Sequence, residues 1–344
     1  MFDPSAPAIP DPRLVFGIPA TEEESRLVIL GVPFDATTSY RSGTADGPEA
    51  IRRASQQVDL LDRRFGNVYE HGIWMAPERE EFRALSADAR QLAAPIIEKA
   101  GADPDDPADA EAIGRINEIT EHVRANVHGW AKRQFASGKI PAVLGGEHSV
   151  SLGILQAAAE ATADDGGIGI LQIDAHMDLR RAYEGFRHSH ASISYNAMEA
   201  LPPDTKLVQL GIRDYCQEEL EYAQASRGRI VTFYWDDVAD QLAGGITWRS
   251  IAEEVLNELP RNVHVTFDID GLDPSLCPNT GTPVPGGLSF QQASMLLEML
   301  AKSGRRIVSF DLVETNPGVD SDWDANVAAR LLYRLCGAAS LTLG

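Results

Sequence analysis

Asp174, His176 and Asp178 follow one another at two-residue intervals in the stretch GILQIDAHMDLR (169–180), and Asp268 and Asp270 repeat that spacing in HVTFDIDGLDP (264–274). Side chains on alternate residues share one face of an extended chain, so each stretch can aim its ligands at one point. Each also begins as a β-branched and aliphatic run, the pattern of a buried parallel strand that delivers ligands from its C-terminal end. A single D-x-H-x-D is more often a surface turn or a helix cap. A second carboxylate pair changes that balance, and so does His148 in GGEHS (145–149), directly after the apolar Pro141 to Leu144. Several carboxylates cannot be buried together as bare charge, because each pays a heavy desolvation cost unless it is paired or coordinates a metal. The three stretches point to a dinuclear metal centre.

Oxygen and imidazole donors without a thiolate favour a harder ion than structural zinc. Manganese fits first, with nickel and zinc compatible by ligand type. Two divalent ions about 3.5–4 Å apart would generate a nucleophile from water near neutral pH, which is hydrolysis without a nucleophilic side chain. His190, in GFRHSHASISYNAM (185–198), is near enough in sequence to carry a proton to a leaving amine, and His188 competes for that role. Asp311 and Glu314 close the strand-like FDLVETNP (310–317). Glu314 reads as a helix cap, as an arginine partner or, if the substrate is a cation, as its counter-charge.

The elements that must position these residues alternate along the chain. Strands are expected at 26–32, 141–144, 168–173, 206–212, 229–234, 263–267 and 306–312, with a short one at 68–73. Helices are expected at 49–61, along 113–135, from Ser149, and at 217–226, 247–258, 289–302 and 324–337. Alternating strands and helices imply an α/β fold, a mostly parallel sheet of about eight strands covered on both faces. Residues 1–25 read as a proline-rich tail with no signal-peptide pattern, and 26–344 as one domain. The segment 75–139 is its least typical part, with an acidic, proline-punctuated loop at 102–111. His122 and His128 lack carboxylate company in sequence and read as structural, and Trp130 reads as core.

The net charge of −21 argues against nucleic acid and anionic membrane as partners and favours cationic solutes. No apolar run approaches the roughly 18–20 residues of a membrane span. Cys216, Cys277 and Cys336 are widely spaced and read as thiols of a reducing compartment, so a cytoplasmic location is expected.

Taken in order, GVPFD, RSGTADGP, GGEHS, DAHMDLR, SHAS, FDIDGLDPS and VETNP resemble the ureohydrolase family of arginases and agmatinases, the first two being similar to the agmatinase branch. The resemblance runs from about Leu27 to the C-terminus. It implies an arginase-like three-layer α/β/α fold with an eight-stranded parallel sheet, assembled as a homo-oligomer, a trimer or hexamer. By position, His148, Asp174, His176, Asp178, Asp268 and Asp270 match the family's metal ligands, Asp174 and Asp268 being the bridging carboxylates. Asp178 also matches the residue that hydrogen-bonds the nucleophile, His190 the proton shuttle and Glu314 the guanidinium-binding glutamate. The implied activity is metal-dependent hydrolysis of a small cationic guanidino substrate to urea and an amine, with two divalent ions, Mn2+ first and Ni2+ compatible.

Agmatine ranks first among substrates, small guanidines including guanidine itself next, and guanidino acids such as guanidinobutyrate third. SISYNAM after His190 and the long 75–139 segment depart from the agmatinase pattern and bear on substrate choice. Arg180, Arg181 and Arg187 crowd the loop before His190, where they either pair with Glu184 or a neighbouring subunit or contact substrate. Two other readings are a mononuclear metal-dependent deacetylase and a catalytically silent subunit of a mixed oligomer. The complete ligand set argues against both, and about two metal ions per chain would separate them from the dinuclear hydrolase.

Overall fold

The computed structural model describes residues 2–5 and 11–343. Its eight strands are β1 (Leu27–Val32), β2 (Ile73–Met75), β3 (Ile140–Gly145), β4 (Gly169–Ile173), β5 (Lys206–Ile212), β6 (Ile230–Tyr234), β7 (Asn262–Asp268) and β8 (Arg306–Val313). They form one sheet in the order β2-β1-β3-β8-β7-β4-β5-β6, with every pairing parallel. The chain leaves β3, skips two positions to lay down β4, and returns later to fill the gap with β7 and β8. In such open sheets the crevice where the winding changes direction, at the C-terminal strand ends, is where ligands bind. All the predicted metal ligands belong to this central quartet or the residues just after it.

The helices are α1 (Gly47–Ser55), α2 (Glu80–Glu98), α3 (Pro107–Ala136), α4 (Leu152–Thr162), α5 (Ile193–Ala200), α6 (Gln217–Ala225), α7 (Trp235–Ala243), α8 (Trp248–Asn257), α9 (Phe290–Lys302) and α10 (Trp323–Leu341). Strand side chains alternate between the two faces. Leu27 and Ile29 pack with Val255, Leu297 and Leu332 of α8, α9 and α10, whereas Val28 and Leu30 pack with Phe82, Val123 and Ile154 of α2, α3 and α4. Because both faces are covered, the strands read as unbroken apolar runs, and three layers result.

Several expectations shift in detail. The helix expected to reach residue 61 ends at Ser55, and the short strand expected at 68–73 is a 3-10 turn over Val68–His71 followed by β2. The acidic loop is shorter than expected, because Pro107 starts α3 and Asp106 caps it, accepting from the Ala108 N–H at 2.9 Å. The N-terminal segment expected as a tail contributes Val15, Phe16 and Ile18 to the core, with the Phe16 ring edge-on to Tyr333 at 4.9 Å. Trp130 is buried as expected. His122 and His128, expected to lack acidic company, pair across helices with Glu81 and Glu160 at 2.8 and 2.9 Å. The three cysteines are unpaired. Among the described residues, no helix is long and apolar enough to cross a membrane.

Candidate dinuclear metal centre and active site

β4 and β7 are neighbours in register, Ile173 opposite Phe267, so Asp174 and Asp268 emerge side by side at adjacent strand ends. Asp268 then caps a 3-10 turn, accepting from the Asp270 N–H at 2.9 Å, and Asp270 in turn accepts from the Ala175 N–H at 3.0 Å. These bonds tie the two ligand loops together through the backbone. Gly271 allows the approach, since a β-carbon there would lie 2.7 Å from the Asp174 nitrogen. Asp178 is held at a φ of 54°, a left-handed conformation that costs a non-glycine residue energy and turns its carboxylate back toward the cluster.

His148 sits on a 3-10 turn after β3, with its N–H donating to Glu314 at 2.8 Å. The His148 Nε2 is 2.8 Å from the Thr266 hydroxyl, which donates to Asp311 at 2.7 Å, and Asp311 also meets the buried His264 at 2.8 Å. Because Thr266 spends its own proton on Asp311, it accepts from His148 Nε2–H, and Nδ1 is left as a bare lone pair. That Nδ1 is buried without a hydrogen-bond partner. Around it lie carboxylate oxygens of Asp178, Asp174 and Asp268 at 3.1, 3.2 and 3.5 Å. His176 Nδ1 lies 3.1 Å from Asp270 and 3.6 Å from Asp174.

Two groups thus stand ready for cations, His148 with Asp174 and Asp178, and His176 with Asp174 and Asp270, Asp174 being common to both. The orphaned imidazole nitrogen and the all-nitrogen-and-oxygen donor set fit a pair of divalent ions. The carboxylates carry the electrostatic signature of a cation site. Burial, then the charge of Asp174, pushes Asp178 up to about 7, and burial, then Asp270, raises Asp268 well above the ordinary carboxylate range. Burial and neighbouring Glu147 do the same to Glu314. Like charges packed at this density keep protons unless a cation offsets them.

A cavity of about 140 Å³ opens over this cluster, with His176, Asp178, Asp268, His190 and Glu314 among the residues that line it. Glu314 is buried, and the His148 N–H is its side chain's one hydrogen bond among the described residues. It neither caps a helix nor pairs with an arginine there. His190 opens the 3-10 turn before α5. Burial, ahead of every other cause, drives its imidazole down to about 3, so it is neutral at pH 7. Its ring is 3.5 Å from the hydroxyls of both Thr37 and Ser39 and edge-on to Tyr183 at 5.9 Å. Neither His188 nor Arg187 lines the cavity.

Of the loop arginines, Arg180 alone lines the cavity. It is 3.7 Å from buried Glu219 and lies over the Tyr183 ring at 4.9 Å. Arg181 pairs with Glu218 at 3.4 Å, so the acidic partners come from α6 and not from Glu184. Thr37, Ser39, Glu147, Thr266 and Glu219 escaped the sequence reading. Each is a polar residue that becomes informative only when strand order puts it beside the site; a buried acid between Gly146 and His148 was the one signal in reach.

The arginase family profile matches residues 25–337. An N(1)-aminopropylagmatine ureohydrolase from Thermus thermophilus is 35% identical over 96% of this chain and 97% of its own length. The agmatinase of Bacillus anthracis is 32% identical over 91% of both chains. Among solved structures, an agmatine ureohydrolase from Thermoplasma volcanium superposes with a TM-score of 0.72 at 26% identity, covering 94% of this chain and 93% of its own. With the parallel sheet and the His/Asp cluster at its central strand ends, these likenesses agree: the chain belongs to the arginase family and is a metal-dependent amidinohydrolase that releases urea from a guanidino compound.

Proposed function

We propose that this enzyme hydrolyses a guanidino compound carrying a distal amine, with agmatine and N(1)-aminopropylagmatine as the leading substrates. The observation that carries the reading is the charge around the cavity. Glu314 is a buried carboxylate with no arginine or lysine partner among the described residues, suited to a planar guanidinium. At the rim, the positive charge of Arg180 is answered by Glu219, whereas Asp214 is exposed and has no ion-pair partner among the described residues. A carboxylate tail would meet a rim whose one arginine is engaged; an ammonium tail would meet unmatched acid. Two relatives whose names specify agmatine or its aminopropyl derivative support the same ranking. A cavity of about 140 Å³ also admits guanidine itself, which stands second.

In this reading His148, Asp174, His176, Asp178, Asp268 and Asp270 would hold two divalent ions, with manganese first and nickel next. When bound, the ions supply a Lewis acid and a water acidified toward neutrality. Glu314 pairs with the guanidinium and fixes its carbon opposite Asp178, which accepts a hydrogen bond from the attacking water. Neutral His190 takes up the proton that water loses and passes it to the departing nitrogen as the C–N bond breaks, giving urea and a free amine. The acceptor is Nε2: Nδ1–H faces the hydroxyls of Ser189 at 3.3 Å and Thr37 at 3.5 Å, and Thr37, which donates its own proton to Glu147 at 3.0 Å, offers it lone pairs.

We further propose one catalytic domain from residue 26 onward, a cytoplasmic setting in keeping with three unpaired cysteines, and assembly as a trimer or hexamer. Urea release should be measured on agmatine, N(1)-aminopropylagmatine, guanidine and guanidinobutyrate with manganese, nickel and zinc supplied in turn. Fastest turnover of either amine-bearing compound supports the reading. A preference for guanidinobutyrate that Arg180→Ala abolishes without metal loss would overturn it.

A further inference from the structure

The long segment between β2 and β3 is a helical hairpin, α2 and α3, that touches both loops enclosing His190. On α2, Ser86 and Arg90 are one turn apart and share a face. Ser86 accepts from the Asp35 N–H at 3.0 Å and donates to the Asp35 carboxylate at 3.2 Å. That carboxylate also holds the Gly43 N–H at 2.8 Å, which closes the 35–43 loop. Arg90 donates to the carbonyls of Thr38 and Ala36 at 2.6 and 3.3 Å and to the Thr38 hydroxyl at 3.2 Å. The residues on either side of Thr38 are Thr37 and Ser39, whose hydroxyls flank the two nitrogens of His190.

The other end of the hairpin grips the second loop. The Ala102 N–H donates to the Glu184 carbonyl at 3.1 Å, and Phe186 is buried among side chains of α2 and α3. Gly185, at φ 95°, lies against Ala102 and Ile113, leaving no room for a β-carbon. Tyr183, the next contact of His190, is carried on this loop.

We propose that the α2–α3 hairpin is a brace for the proton-carrying histidine, with Arg90 a positioning residue that holds the 36–39 loop against His190. The inference rests on His190 being the proton carrier. An imidazole works in both directions only if one nitrogen stays bonded and the other stays aimed, and misplacing a reacting group by about 1 Å costs as much as 10²-fold in rate. Cutting the Arg90 contacts frees the segment that sets this aim while leaving the metal ligands, Glu314 and the cavity floor in place.

The test is a double-mutant cycle between Arg90→Met and His190→Ala in metal-loaded enzyme, with urea release followed on whichever of agmatine, N(1)-aminopropylagmatine, guanidine and guanidinobutyrate the wild type turns over fastest. Arg90→Met keeps the aliphatic stem, and Ser86→Ala replaces it if that variant fails to fold. The expected result is a fall in kcat of roughly tenfold or more, with KM and metal content held, partial recovery in Arg90→Lys, and no further loss when Arg90→Met is added to His190→Ala. An equal loss in both backgrounds, or no loss in either, overturns the brace. Full activity of His190→Ala is a different failure, since it removes the proton-carrier assignment and the brace together.

Discussion

Thr266→Val removes one oxygen from the fully buried chain that runs from His148 to Asp311. The threonine hydroxyl accepts from His148 Nε2 at 2.8 Å and donates to Asp311 at 2.7 Å, so two buried bonds are lost and a methyl group takes their place. A buried donor or acceptor left without a partner costs about 1–3 kcal/mol, and the two together give about 2–6 kcal/mol. Asp311 keeps His264 at 2.8 Å, which holds the figure toward the lower half of that range. The second effect falls on the metal. His148 would lose the contact that fixes its tautomer and ring angle, a change that typically lowers affinity ~10–100-fold. Denaturant unfolding of metal-stripped protein measures the first effect and calorimetric titration with manganese the second. Thr266→Ser, which keeps the hydroxyl, serves as the control and should bind metal as the wild type does. If Thr266→Val unfolds at the wild-type denaturant concentration and binds manganese within twofold of wild type, the relay does not orient His148 and the reasoning fails.

Three further outcomes are expected. His190→Ala should retain both ions and lose ~10²–10⁴-fold in kcat, while His188→Ala, outside the cavity lining, should stay near wild type; the reverse pattern would transfer the role to His188. Glu314→Gln should cost about 2 kcal/mol or more in kcat/KM, roughly 30-fold, because a desolvated cation loses its counter-charge; unchanged kcat/KM on every guanidino compound would show that the guanidinium binds elsewhere. Asp268→Asn should reduce metal content below about one ion per chain and abolish urea release while far-ultraviolet circular dichroism stays unchanged, so full occupancy with activity would remove the shared-ligand assignment.

The metal cluster was legible in the sequence because its geometry is local. Asp174, His176 and Asp178 need only an extended chain to share a face, and the apolar runs before them and before Asp268 announce the strands that carry them. The relay behind His148 was hidden because Thr266 and Asp311 are 45 residues apart in the chain and meet only through the register of β7 with β8. α2 went unread for another reason. Half of its apolar side chains are alanine, with Ala89 and Ala93 in the core, which makes a thin apolar stripe, and Pro95 within the helix reads as a stop. The N-terminal segment misled similarly: its prolines read as a tail, while the three apolar residues that bury were too few to form a periodic pattern.

Register holds this dense cluster of charge in place. Ile173 pairs with Phe267, and Thr266 with Asp311, so the ligand pair Asp174 and Asp268 and the relay behind His148 all depend on the alignment of β4, β7 and β8. A slip of one residue would turn every one of these side chains to the opposite face and leave the buried Asp174, Asp268, Thr266 and Asp311 without their partners. The centre is therefore fixed by the same packing that stabilises the sheet. The rim is built otherwise: Ser39, Tyr183 and Arg180 stand on loops that end the strands, held by Arg90 of α2, Ala102 of the α2–α3 connection and Glu219 of α6. On the proposed reading, changes there would alter which tail is admitted and how firmly His190 is aimed while the His/Asp cluster keeps its place.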